Sequence, residues 1–196
     1  MRRSRSTSPS GTPGGSSRPS TAGSSRAWMP WTRRSPSIAR SRRPGGQGIG
    51  AEIMGRGKFG PQEGEWPDDG WRGWWGEEPP FRTPVVVLTH YAREPLHFDN
   101  GTSFHFMDAT PKEALARAQE LADGKDVRIG GGPSTIRQFL AADLVDFMHL
   151  VTVPITLGTG VLLWEGLDGI QDRFTVESTA STSGLTHQFW NRATND

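Results

Sequence analysis

The 196-residue sequence contains no cysteine, a single tyrosine, and no lysine, aspartate or glutamate before Glu52. The missing cysteine excludes a disulfide scaffold, a zinc ribbon or knuckle, an iron–sulfur cluster and a thiol nucleophile. No apolar run exceeds four residues, the length of the one at 85–88. A bilayer-crossing helix needs about 20. Arginines stand near the N-terminus, but no apolar stretch follows them, so a secretory signal is not expected. These absences leave a soluble protein of a reducing compartment, placed in the cytoplasm.

The formal net charge of +1 conceals two unlike regions. Residues 1–46 hold ten Arg, twelve Ser, six Pro and six Gly with no acid, a charge of +10, so the rest of the chain carries −9. After Met1, the large apolar residues of this stretch are Trp28, Met29, Trp31 and Ile38. They bury too little surface to offset the entropy of ordering a chain. The expectation is a disordered Arg/Ser/Pro/Gly-rich tail over 1–46 and one folded domain over 47–192.

Within the domain, short period-2 apolar runs alternate with helical patterns, which predicts an α/β architecture. Strands are expected over 48–54, 84–89, 103–107 (an edge strand), 126–129 and 145–154, with a closing antiparallel pair at 174–178 and 186–191. Thr110, Pro111 and Glu113 form a capping box that starts a helix. Ala114, Leu115, Ala118, Leu121 and Ala122 give that helix its apolar stripe, and Gly124 stops it. A second helix is expected over 134–142. The segment 60–80 reads as a loop, with Trp66, Trp71, Trp74 and Trp75 packing it down.

Two glycine-rich strand ends carry the chemistry. Gly130, Gly131 and Gly132 lie between a strand and a helix, where the backbone can approach a ligand and the helix start offers free N–H groups. Ser134 and Thr135 add hydroxyls there, and together these residues suit a diphosphate. The pattern is neither G-x-G-x-x-G nor a P-loop, and a plain tight turn is the competing reading. Gly55, Arg56, Gly57 and Lys58 put two cations on a second glycine-rich end, which suits a phosphate monoester; a solvated turn is the alternative. The five histidines show no ligand spacing, so no metal site is expected. Without a G-x-S-x-G elbow, a serine triad is rejected. An arginine-rich tail attracts nucleic acid, but this one lacks stacking aromatics and a binding fold, so nucleic acid is an unlikely partner.

The blocks 129–140, 143–146 and 153–158, with the Ile53–Pro61 turn, resemble the dihydrofolate-reductase-like superfamily. The branch is the C-terminal reductase domain of the riboflavin-pathway deaminase–reductase, and the resemblance covers about 47–192. It implies a mixed sheet flanked by helices and an NADPH-dependent oxidoreductase. That enzyme would reduce a pyrimidine- or pterin-like small molecule, such as a ribosylaminopyrimidine, by hydride transfer without metal. It also implies Gly55 and Arg56 near the 2′-phosphate end of NADPH and Thr89 and His90 near its adenosine. Gly130, Gly131, Gly132, Ser134 and Thr135 would meet its diphosphate and nicotinamide. A homodimer is the implied assembly. An inactive nucleotide-binding relative, or a protein acting on nucleic acid through the basic tail, are the alternatives.

The family opens with a central strand, a Ser-x-Asp-Gly-like turn and a helix. Here the Arg/Ser tail stands in their place, so the N-terminal strand and helix are missing and no catalytic residue is assigned. The tail is expected to be an out-of-frame reading of them. Trp28, Met29, Pro30, Trp31 and Thr32 can only be encoded TGG ATG CCN TGG ACN. Read from the third base of the Trp28 codon, this gives Asp-Ala-(Leu, Met or Val)-Asp whatever codons are used.

Overall fold

The computed structural model describes residues 48–67 and 70–193. The expected disordered tail over 1–46 lies outside the described residues. The elements run β1 (Ile49–Gly55), α1 (Arg56–Phe59), β2 (Pro84–Leu88), β3 (Leu96–His97), β4 (Ser103–Met107), α2 (Pro111–Leu121), β5 (Asp126–Ile129), α3 (Pro133–Ala141) and β6 (Phe147–Thr152). A 3-10 turn (Ile170–Arg173) then leads into β7 (Phe174–Ala180) and β8 (Thr186–Arg192). Among the described residues no helix is long and apolar enough to cross a membrane.

The strands form two sheets. The larger has the order β3-β4-β2-β1-β5, the smaller β6-β8-β7. In the larger, β4, β2, β1 and β5 are parallel and β3 runs antiparallel to β4. In the smaller, both pairings are antiparallel, as the alternating patterns at 174–178 and 186–191 predicted. The mixed α/β sheet flanked by helices is therefore the observed architecture.

β1 and β2 read as near-continuous apolar runs because both faces of the parallel sheet are covered. Ala51, Ile53 and Val86 face one side, against Ala114 and Ala118 of α2 and Phe139 and Leu140 of α3. Met54, Val85 and Val87 face the other side, against Phe59, Phe98, Phe104 and Phe106, with Trp66, Trp71 and Trp75 packed onto them. The tryptophans thus hold the 60–80 loop down as expected, except Trp74, which is exposed. Gly50 lets the end of α2 rest directly on β1, since a Cβ there would collide with the Ala122 carbonyl.

The capping box of α2 is complete: Thr110 Oγ1 accepts from the Glu113 N–H, and the Glu113 carboxylate accepts from the Thr110 N–H at 2.9 Å. Three expectations need correction. Residues 103–107 are not an edge strand, because β3, only two residues long and without a readable period, covers that side of β4. Residues 56–59, read as a glycine-rich strand end or solvated turn, are one helical turn anchored by the fully buried Phe59. The strand expected over 145–154 is shorter, ending at Thr152 before Pro154 removes a ladder N–H.

Candidate functional site

From β1 the chain passes to β2 on one side of the sheet; it later crosses to β5 on the other. The point where strand order reverses therefore lies between β1 and β5. In open α/β sheets the crevice beyond the carboxyl ends of the strands at such a point is where ligands bind. Two glycine segments meet here. The Gly55 N–H donates to the Gly131 carbonyl (3.1 Å), and the Gly130 N–H donates to the Ile53 carbonyl (2.7 Å). Thr135, from the first turn of α3, packs against Gly55 so closely that a Cβ at Gly55 would strike its hydroxyl oxygen. Gly55 and the segment 130–135, far apart in the sequence, thus meet directly.

The glycines differ in what they permit. Gly131 has φ 102°, a conformation that favours glycine, and the Gly131–Gly132 peptide is cis. A Cβ at Gly132 would meet nothing within 4 Å, whereas one at Gly130 would stand 2.6 Å from Lys58 Nζ. The backbone at Gly132 therefore faces open space. Gly132 is the N-cap of α3 and makes no side-chain cap; Pro133 follows at the first helical position. The N–H groups of Ser134 and Thr135 fall before the first intrahelical bond, which Ile136 makes to Gly132. Ser134 is exposed and Thr135 is buried.

Arg56 and Thr89 stand at the ends of the neighbouring strands β1 and β2. Arg56 Nη1 lies 3.5 Å from Thr89 Oγ1 and also donates to the Gly64 carbonyl, while Nη2 reaches the Glu65 carbonyl at 3.5 Å. Its guanidinium lies 3.9 Å above the Trp66 ring and 5.4 Å from that of Tyr91. The buried Nε has no partner, so Arg56 keeps one donor unsatisfied beside this aromatic clamp. Thr89 Oγ1 also accepts from the Tyr91 N–H at 3.1 Å. His90 is exposed and its Nδ1 lies 3.2 Å from Asp108 Oδ1, turned toward the start of α2.

Lys58 departs from its sequence reading. Instead of offering its charge to a phosphate monoester, it points inward and donates from Nζ to the Gly130 carbonyl at 2.7 Å. Burial pushes its ammonium below the ordinary lysine range, Glu52 pulling the other way and Arg128 reinforcing the drop. Glu52 was not singled out from the sequence. It is fully buried in the middle of β1, pairs with Arg128 across the β1–β5 ladder, and leaves Oε2 without a partner. Its signal in the sequence was an acid inside an apolar strand. Elsewhere, a shallow pocket opens between Trp164, Ile170 and Trp190, and no sequence-predicted site residue lines it.

Two glycine segments meeting at the switch point of a mixed α/β sheet define the class, a mixed-sheet α/β domain. The sequence pattern of the RibD C-terminal domain matches residues 46–185, and the chain belongs to that family. No curated protein matches its sequence. Among solved structures it is similar to a protein ascribed to riboflavin biosynthesis from Shewanella sp. PV-4, at 23% identity and TM-score 0.48 over 74% of this chain and 75% of that one. It is also similar to a pyrimidine reductase-like protein from Corynebacterium diphtheriae, at 20% identity and TM-score 0.39. That match covers 58% of this chain and 51% of the other.

Proposed function

We propose that the domain is a cytoplasmic NADPH-dependent reductase that transfers hydride to a pyrimidine- or pterin-like small molecule. The observation that carries the reading is the meeting of Gly55 and the Gly130–Gly132 segment at the switch point, under the uncapped start of α3. A diphosphate there would accept from the Ser134 and Thr135 N–H groups, approach the backbone at Gly132, and feel the positive end of the helix. Arg56, with Nε unsatisfied, would meet the 2′-phosphate beside Trp66, and Thr89 and His90 would lie toward the adenosine. When bound, the cofactor supplies the hydride; the chain's own residues position it.

The test is a pair of titrations with NADPH and NADH. NADPH should bind more tightly, because a guanidinium rewards the extra phosphate, and Arg56→Ala should remove the difference. Gly132→Val should weaken both at least ~10-fold. A Cβ at Gly132 meets nothing in the protein itself, so lost binding would report the ligand's approach and not an internal clash. Unchanged affinity in Gly132→Val would reduce the turn to a structural feature.

A further inference from the structure

We propose that Lys58 is a positioning residue: its ammonium, bonded to the Gly130 carbonyl, diverts the end of β5 out of the sheet and so sets the glycine turn over 130–132. The use of that turn for a nucleotide rests on the function proposed above; the clamp itself belongs to the free chain.

The diversion is visible in the ladder. In a parallel pair the bonds are evenly spaced, a residue's N–H and C=O reaching the two neighbours of the residue opposite it. Ile53 of β1 stands opposite Ile129 of β5, and the Gly130 N–H donates to the Ile53 carbonyl. The next regular rung would send the Gly55 N–H to the Gly130 carbonyl. It goes instead to the Gly131 carbonyl, at 3.1 Å. The Gly130 carbonyl, displaced from the ladder, is taken by Lys58 Nζ at 2.7 Å. A side-chain donor thus replaces a strand donor at the residue where the chain leaves the sheet. Without it a half-buried carbonyl would lose its bond, which costs free energy.

Two neighbours hold the lysine in place. Phe59, next in the chain and fully buried, fixes the helical turn from which Lys58 extends, and the Phe81 ring lies 5.8 Å from Nζ. Glu52, buried on β1, spends Oε1 on Arg128 and keeps Oε2 without a partner. A Cβ built at Gly130 would stand 2.6 Å from Lys58 Nζ and 3.3 Å from that Oε2. Carboxylate and ammonium therefore flank the same α-carbon, and the Glu52 charge offsets part of the cost of burying the lysine's.

The clamp gives Gly130 a reason of its own. Gly131 is glycine for its backbone, at φ 102°, and Gly132 faces open space. Gly130 has no such φ, so its backbone accepts alanine. What a methyl group meets there first is the end of the lysine. Gly130→Ala should therefore push Nζ off the carbonyl and reproduce the loss of Lys58. The clamp also acts differently from Arg56. It shapes a turn that NADPH and NADH would meet alike through their diphosphate, whereas Arg56 is placed to tell the two apart by one phosphate.

The experiment follows the Gly130 carbonyl carbon and the Gly132 amide by NMR in the isotope-labelled full chain, first without nucleotide. Lys58→Met should move both resonances. Gly130→Ala should move the Gly132 amide the same way, and the double variant no further than either single one. In the unaltered chain the Gly130 carbonyl should titrate with the same midpoint as the Lys58 side chain. Burial holds that midpoint below the ordinary lysine range, Glu52 of β1 opposing the drop and Arg128 of β5 adding to it. This titration needs no variant to fold. A carbonyl unmoved by Lys58→Met, or indifferent to the lysine's titration, overturns the proposal. With nucleotide, each single variant should weaken NADPH and NADH by the same factor, about 10-fold. The double variant should stay near that value. A ~100-fold loss in the double variant, or a loss confined to NADPH, overturns the positioning role. If the unaltered chain binds neither nucleotide, the function proposed above fails, and the free-chain resonances alone decide the clamp.

Discussion

The two sheets of this domain are built on opposite terms. In the larger, β1 and β2 are sealed on both faces: Ala51, Ile53, Met54 and Val85 to Val87 have no exposed surface. In the smaller, β7 buries only Phe174, and the connection after β6 leaves Ile155, Leu157 and Leu162 more than half exposed. Parallel strands survive only when covered on both sides, and the helices, Phe59 and the tryptophan loop supply that cover. The antiparallel strands tolerate one wet face, but here their apolar residues face water as well. Every sequence-predicted cofactor residue lies at a strand end or helix start beside the larger sheet.

The sharpest way to break this contrast is truncation of matched residues. Phe59 packs edge-on against Trp66, Phe104 and Phe106, so Phe59→Ala should cost about 3–5 kcal/mol in denaturant unfolding. Leu157→Ala, at a site 78% exposed, should cost under about 0.5 kcal/mol. Equal costs would end the distinction between the halves.

A buried charge gives the next effect. Glu52→Ala removes the buried acceptor of Arg128, whose own side chain is 56% exposed, and the countercharge beside Lys58, so it should cost about 2 kcal/mol, as for a lost hydrogen bond to a charged group. Glu52→Gln, which keeps the shape and the hydrogen-bonding capacity, should cost less. Both are read from the same unfolding curves.

A smaller effect sits at the start of α2. Thr110→Ala removes the acceptor for the Glu113 N–H and should cost about 1 kcal/mol. In the outer half a pH dependence is expected. His149 lies 3.0 Å from His187 and stacks on Phe189, and burial, then His187, lowers its pKa below the ordinary 6.5. The unfolded chain therefore takes up the proton first. This contribution to stability is complete above pH about 6.5 and is lost as pH falls toward the folded value. His149→Gln should flatten the stability profile between pH 7 and 5; an unchanged slope would place its origin elsewhere.

The sealed half was the more legible in the sequence, for physical reasons. An uninterrupted Val-Val-Val-Leu run is a buried parallel strand with few alternatives, and Thr110-Pro111-Lys112-Glu113 states a helix start in local chemistry. Local chemistry did not disclose β3, whose two residues have no period and form a strand only because β4 is there to pair with. Nor did it disclose the inward turn of Lys58, which depends on Gly130, 72 residues away. Glu52 is not legible from sequence because an acid in a strand ordinarily lies on a wet face; only the β1–β5 register brings Arg128 beside it. The glycines were found from sequence, but their meeting at one switch point is a property of the strand order.

The central claim is the position of the nucleotide, and an amide NMR titration with NADPH tests it most directly. Shifts should centre on Gly55, Arg56, Thr89 and Gly130 to Thr135, weaken in Gly132→Val, and spare the pocket between Trp164 and Trp190. Shifts centred on that pocket, or none at saturating NADPH, would contradict the account.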